Sequence, residues 1–239
     1  MKTLYLSRAR LRPDLDGPTL ARALLAKDAN ANVAAAHRLV WTLFADDPDR
    51  RRDFLWRAET PGSIADTTFY VLSARPPEDP LDIFALDPPK AFAPALRSGD
   101  RLRFTLRANP VVTRKDTTGR PHRHDVVMDW LQREAIPPGD RAERRREAIE
   151  KAACAWLEAQ GERHGFALVR GPGGRPLLGA DGYEQRVVPR ERARPVTFSV
   201  LDLEGVLEVR EPERFLAAVA RGFGKARAWG CGLMLIRRA

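Results

Sequence analysis

The chain has 239 residues, 44% of them apolar, enough to bury one large core or two small ones. Its formal net charge of +9 points to a polyanionic partner, nucleic acid first, although the excess of arginine over lysine in an alanine-rich chain also fits a coding bias. No apolar run approaches the roughly 20 residues of a membrane helix, no leader-like stretch opens the chain, and the two cysteines suggest no disulfide, so the expected compartment is the reducing cytoplasm.

In chain order, "TLYLSRARL" alternates as a first strand. "NVAAAHRLVWTLF" follows, with Val33, Ala36, Val40, Trp41 and Phe44 at helical spacing. "DFLWRAE" and "TTFYVLSAR" read as strands, with "TPGS" as the turn between them. Pro-rich loops lead to "SGDRLRFTLRANPVV". There Leu102, Phe104, Leu106 and Ala108 share one face, and Arg101, Arg103, Thr105 and Arg107 share the other. This predicts a strand that lays a basic surface on a core.

After "TRKDTTGRPHRHD", where the domain boundary is placed near residues 115–123, the organisation restarts. "VVMDWLQREA" is helical. "PPGD" breaks it and offers Asp140 as N-cap for a second helix, "RAERRREAIEKAACAWLEAQGERHG". "FALVR" is a short strand, and "GPGGRPLLGADGYEQRVV" a Gly-rich loop leading into a hairpin. "RPVTFSVLDLEGVLEV" is strand, and "EPERFLAAVARG" a short helix with Pro212 in its first turn and Gly222 past its end. A loop, "GFGKARAWGCG", then joins a final strand. The order of elements fits two ferredoxin-like (RRM-like) βαββαβ domains in tandem, an α+β fold, divided as 1–118 and 119–239.

Phosphate binding is the first reading of the terminal loop, whose glycines include Gly222, Gly224 and Gly230 around Lys225 and Arg227. It is no P-loop, because Ala226 follows the lysine where a hydroxyl must hold magnesium. It is no dinucleotide fingerprint, because too little chain follows for the helix and the acidic residue. A nucleotide enzyme is therefore disfavoured, and no small-molecule cofactor is expected. His122 and His124 beside Asp125 lack a second ligand cluster and read as surface loop, not metal site. His164, near a helix C-terminus, suits the helix dipole as a cation.

His37 sits within the first helix with Trp41 one turn along. Spacing alone leaves two readings open: a core-edge histidine bonded to backbone, or an imidazole that moves a proton in metal-free RNA cleavage. Arg141, Arg144, Arg145 and Arg146 either face solvent, partly neutralised by Glu143, Glu147 and Glu150, or hold phosphates through their guanidinium forks.

The stretches "AAAHRLVWTLF" with "RRDFLWRAE", "RLRFTLRANPVVTR", "EGVLEV" and "GFGKARAWGCGL", in this order and over nearly the whole chain, resemble the CasE family of CRISPR repeat-processing endoribonucleases. The resemblance implies tandem ferredoxin-like domains and a basic surface that grips a repeat RNA stem-loop. It also implies metal-independent cleavage at the 3′ base of the stem, leaving a 2′,3′-cyclic phosphate and a 5′-hydroxyl, with the product passed to the subunits of Cascade. The family's catalytic histidine matches His37. The RNA contacts expected here are Arg38, Arg101, Arg103, Arg107, Arg141, Arg144 and Arg145, with Gly222, Gly224, Lys225, Arg227 and Gly230 of the loop. One position departs: the tyrosine often found three residues before the histidine is Ala34. Cleavage slower than in a tyrosine-bearing relative is expected, since acid–base participation is worth about 10² to 10⁴ in rate. A non-catalytic RNA-binding subunit of the same fold is the alternative.

Overall fold

The computed structural model describes residues 3–12, 29–45, 51–60, 67–190 and 193–239. The turn expected at "TPGS" falls largely outside them. The chain folds as two compact units. One takes Met1–Ala95, Arg186–Thr197 and Ala226–Leu233, and the other takes Leu96–Gln185, Phe198–Lys225 and Met234–Ala239. No described helix is long and apolar enough to cross a membrane.

The first unit contains β1 (Tyr5–Leu11), α1 (Ala29–Thr42), β2 (Phe54–Glu59), β3 (Thr68–Ser73), β4 (Phe84–Leu86) and β5 (Lys90–Ala91). Its strands pair antiparallel in the order β2-β3-β1-β4, with β5 also on β1. Alternation puts Ala9, Leu11, Phe54, Trp56, Phe69 and Val71 on one face, which is covered by Leu39 and Val40 of α1 and by Leu43 and Phe44 of the turn after it. The buried stripe thus centres on Leu39 in α1 and Leu43 just past its end, while Trp41 is half-buried and meets Phe54 edge-on at 5.1 Å. The strand order is ferredoxin-like. The second helix of that plan is missing, because residues 74–83 run without helix from β3 to β4.

The second unit carries the full βαββαβ plan. Its elements are β6 (Arg101–Ala108), β7 (Val111–Lys115), β8 (Pro121–Asp125), α2 (Val126–Arg133), α3 (Arg145–His164) and β9 (Phe166–Leu168). They continue with β10 (Leu178–Arg190) and β11 (Ala193–Val209), whose residues 186–190 and 193–197 belong to the first unit, and with α4 (Pro212–Arg221) and β12 (Met234–Arg238). The main sheet runs β10-β11-β6-β12. The sequence division at 118/119 placed β6 in the first half, yet β6 is an inner strand of this sheet. Its apolar face explains why: Leu106 lies opposite Leu203 of β11 on one side and Met234 of β12 on the other.

Three local expectations change. The segment holding the expected boundary is the hairpin β7–β8. Its turn is tied by the Asp116 carboxylate, which accepts from Thr118 N, Thr118 Oγ1, Arg120 N and His122 Nε2. Asp140 does not cap α3. It closes a 3-10 turn opened by Pro138, and the helix starts only at Arg145. His164 does end α3, but burial first and then the charges of Arg221, Arg163 and Arg214 hold its pKa down, so it does not serve the helix dipole as a stable cation.

Leu106 is fully buried in β6. Leu106→Ala is expected to lower stability by about 2 to 5 kcal/mol, the usual cost of emptying a leucine site in a core. Urea denaturation followed by circular dichroism checks this.

Candidate active site

The first unit assembles a site from three separate stretches: α1, the entry to β2, and residues 226–233. His37 projects from α1. Its Nδ1 lies 2.8 Å from the carbonyl oxygen of Ala228. A carbonyl only accepts, so Nδ1 carries a proton, and in the neutral ring the lone pair is left on Nε2. Trp56 Nε1 donates to the same oxygen at 3.1 Å. One residue earlier, the carbonyl of Arg227 accepts from Arg52 Nη1 at 2.9 Å, and that nitrogen also reaches the Phe54 carbonyl at 3.1 Å.

The chain around Ala228 is shaped to present these oxygens. Arg227–Trp229 is a single 3-10 turn between Ala226 and Gly230, both of which take left-handed backbone. Gly230 has φ +77°, and an added Cβ would lie 3.1 Å from the Trp56 ring. Glycine is needed there so that the turn can close on Trp56. The Trp229 ring packs on the imidazole at 4.7 Å between centroids, and Trp41 flanks it at 6.3 Å.

Burial pushes the His37 imidazole below its ordinary value of 6.5. The Ala228 hydrogen bond opposes this shift, and the positive charges of Arg52 and Arg38 reinforce it. The net direction is down, so His37 is neutral at pH 7, with one nitrogen satisfied by backbone and the other able to accept a proton. Residue 34, one turn earlier, offers no phenol, because it is alanine. Tyr183 belongs to the second unit, where its hydroxyl donates to Asp125 at 2.7 Å and its pKa is raised by burial and that carboxylate.

The other residues singled out in the sequence fall in different settings. Arg38 is exposed on α1. On β6, the basic face meets an acidic one. Arg101 lies opposite Glu208 and pairs with it at 3.7 Å, and Arg107 binds Asp202 through two nitrogens at 3.0 and 2.7 Å. Arg103 instead has Val206 and Arg237 as cross-strand neighbours. Arg141 donates to the Ile136 carbonyl, Arg144 pairs with Glu147, and Arg145 donates to the Tyr183 carbonyl while covering its ring at 5.4 Å.

Gly222 ends α4 with φ +79°, as its place after the helix predicted. Lys225 is exposed, and its backbone N–H donates to the Asn109 carbonyl at 3.1 Å. The close neighbour of Gly224 is that same carbonyl, 2.7 Å from where a Cβ would stand. Protein groups, not open space, therefore surround Gly224 and Gly230. Sequence reading missed Arg52, Trp56 and Asn109. Each acts through backbone partners distant in sequence, and no spacing rule reports that.

Nitrogen-detected NMR on the free protein should find His37 titrating below 6.5, with the Nδ1-protonated tautomer dominant above its pKa. A pKa above 6.5, or an Nε2-protonated ring, would contradict the geometry.

The family model described as "CRISPR associated protein" matches residues 4–238. The CRISPR-associated endoribonuclease Cse3 of Thermus thermophilus is 34% identical over 199 residues, 78% of this chain and 80% of its own. The CRISPR system Cascade subunit CasE of Escherichia coli is 26% identical over 217 residues, 90% of this chain and 96% of its own. A structure of Thermus thermophilus Cse3 bound to an RNA representing a pre-cleavage complex superposes with a TM-score of 0.70 at 29% identity, covering 98% of this chain and 99% of that one.

Proposed function

This chain belongs to the CRISPR-associated protein family, and on that premise we propose that it is a metal-independent endoribonuclease acting on the stem-loop of CRISPR repeat RNA in the cytoplasm. The observation that carries the mechanism is the Ala228 hydrogen bond to His37 Nδ1, which leaves Nε2 as a proton acceptor in a basic setting. His37 Nε2 removes the ribose 2′-proton. The 2′-oxygen bonds to the adjacent phosphorus as the phosphorus–O5′ bond breaks, and O5′ takes a proton from solvent. The products are a 2′,3′-cyclic phosphate and a 5′-hydroxyl. Arg38 and Arg227 supply positive charge for the phosphorane, a term that is large wherever charge develops in a water-poor site. In this reading the cut falls at the 3′ base of the stem and the product is retained for assembly with Cascade subunits; the CasE relative's name supports the Cascade partnership alone.

His37→Ala should slow cleavage of a labelled repeat hairpin by about 10² to 10⁴, the usual worth of an acid–base group. Hairpin affinity should stay nearly unchanged, and excess EDTA should have no effect on the wild type. Survival of cleavage in His37→Ala, or a requirement for magnesium, overturns the mechanism. Ala34 supports one rival, an RNA-binding subunit without activity, and that reading expects tight binding with no cut in any variant.

RNA contact is assigned first to Arg38, Arg103 and Lys225. Arg101, Arg107, Arg141, Arg144, Arg145 and Arg227 would have to exchange a present interaction for a phosphate. Gly222, Gly224 and Gly230 enter as backbone that shapes the loop. Each phosphate neutralised on a duplex contributes about 0.9 to the slope of log affinity against log salt. Arg103→Ala should therefore flatten that slope by about 1, whereas Arg107→Ala, already neutralised by Asp202, should leave it within error. Titrations at several salt concentrations separate the two.

A further inference from the structure

Ahead of β2, Arg52 is a half-buried cation whose Nη1 donates to backbone oxygens. Among the described residues no carboxylate pairs with it. Its Nη1 bridges the Phe54 carbonyl, at the start of β2, to the Arg227 carbonyl, in the 3-10 turn. The next carbonyl along that turn is Ala228, which receives His37 and Trp56. Two successive peptides are therefore held by three side chains, and two of those side chains, Arg52 and Trp56, come from the same five-residue stretch.

We infer that Arg52 is a positioning residue: by holding the Arg227 carbonyl against the entry of β2 it fixes the turn so that the Ala228 carbonyl takes the His37 Nδ1 proton and Nε2 is the reactive nitrogen. This rests on the proposed role of His37, but the geometric part stands without it.

The division of labour among the donors follows from their chemistry. The Ala228 oxygen has two lone pairs, and Trp56 and His37 use both. Neither of them restrains the preceding peptide. A 3-10 turn of three residues between two left-handed positions has few internal bonds to keep it in one orientation. A guanidinium that joins the turn to a strand supplies that restraint, and a hydrogen bond from a charged donor is stronger than a neutral one. Arg52 also brings charge. The charged groups acting on the imidazole are Arg52, across from it, and Arg38, on its own helix, and both disfavour its protonation. Arg227, on the turn, acts on Arg52 in the same sense, after burial, which is the larger cause of that group's lowered pKa.

The test uses Arg52→Gln and Arg52→Lys in the full chain. In the free protein, nitrogen-detected NMR of His37 should show the Nδ1-protonated fraction falling in Arg52→Gln and the pKa moving up toward 6.5. Single-turnover cleavage of the repeat hairpin should fall about 10- to 100-fold, the scale of a small misplacement of a reacting group. The acid limb of its pH–rate profile should move upward by the same shift seen in the titration, with hairpin affinity little changed. Arg52→Lys, which keeps the charge and can reach at least one carbonyl, should restore the pH profile and part of the rate.

A merely structural arginine would lower the melting temperature while leaving tautomer, pKa and acid limb where they are, and that result overturns the inference. If Arg52→Gln does not fold, Arg52→Lys decides: wild-type tautomer and a rate between wild type and His37→Ala support the role, and a wild-type rate refutes it. Cleavage that survives His37→Ala refutes the catalytic role of His37 alone. The tautomer shift in free protein still reports whether Arg52 positions the ring.

Discussion

A single carbonyl oxygen, that of Ala228, organises the first unit's site. It accepts from His37 on α1 and from Trp56 on β2, so it ties the helix and the sheet of that unit to a segment about 190 residues later in the chain. Its chemistry dictates the state of the imidazole. An oxygen that can only accept requires a proton on Nδ1, and a ring already half-buried beside two cations resists a second proton. Backbone thus orients the imidazole, and among the described residues no carboxylate bonds to it. A carboxylate in that place would raise the pKa of the ring, whereas a carbonyl fixes the tautomer at much smaller electrostatic cost to neutrality.

The same contact explains why the chain returns. Residues 226–233 belong to the first unit although they lie between α4 and β12 of the second. Their left-handed positions at Ala226 and Gly230 turn the backbone sharply on either side of the three-residue helix, and Trp56 fills the space a side chain at 230 would need. The glycines that read as a phosphate cradle therefore serve mainly to let backbone approach protein. Arg227 and Lys225, the cations between them, face different demands. Lys225 is exposed and held through its backbone by Asn109, and Asn109 in turn donates from its side chain to Ser199.

Much of the fold was legible because its cause is periodicity. β6 alternates strictly, and its buried face is the one predicted, Leu102 through Ala108. The helix holding His37, the Pro212 start and Gly222 end of α4, and the final strand all follow from local rules. What failed was non-local. Strand partners placed β6 in the second sheet, and no alternation pattern contains its neighbours. The Asp116 turn hid a hairpin inside polar sequence, because the carboxylate's hydrogen bonds, not apolar alternation, stabilise it. The arginine face looked open because the acids that meet it, Asp202 and Glu208, lie some 100 residues away. His37 was visible as a candidate, while its tautomer was not, since that depends on a carbonyl from the other end of the chain.

These differences bear on how one imidazole manages without the phenol one turn before it. A second acid–base group would protonate the leaving oxygen or orient the attacking one. With alanine at 34, the proposed mechanism draws, among the described residues, on the basicity of His37 Nε2 and the surrounding positive charge. A 5′-oxygen is a poor leaving group unless its charge is met by a proton or by cations. On the proposed reading the compensation is electrostatic: Arg38, Arg52 and Arg227 all lie in the first unit with the imidazole, and Arg52 and Arg38 act on it directly. Two of these charges, Arg52 and Arg38, add to burial in depressing the histidine's pKa and so weaken it as a base. Under the proposed mechanism the arrangement trades proton-transfer strength for a base that stays neutral to lower pH, and it favours stabilisation of the phosphorane over protonation of the leaving group.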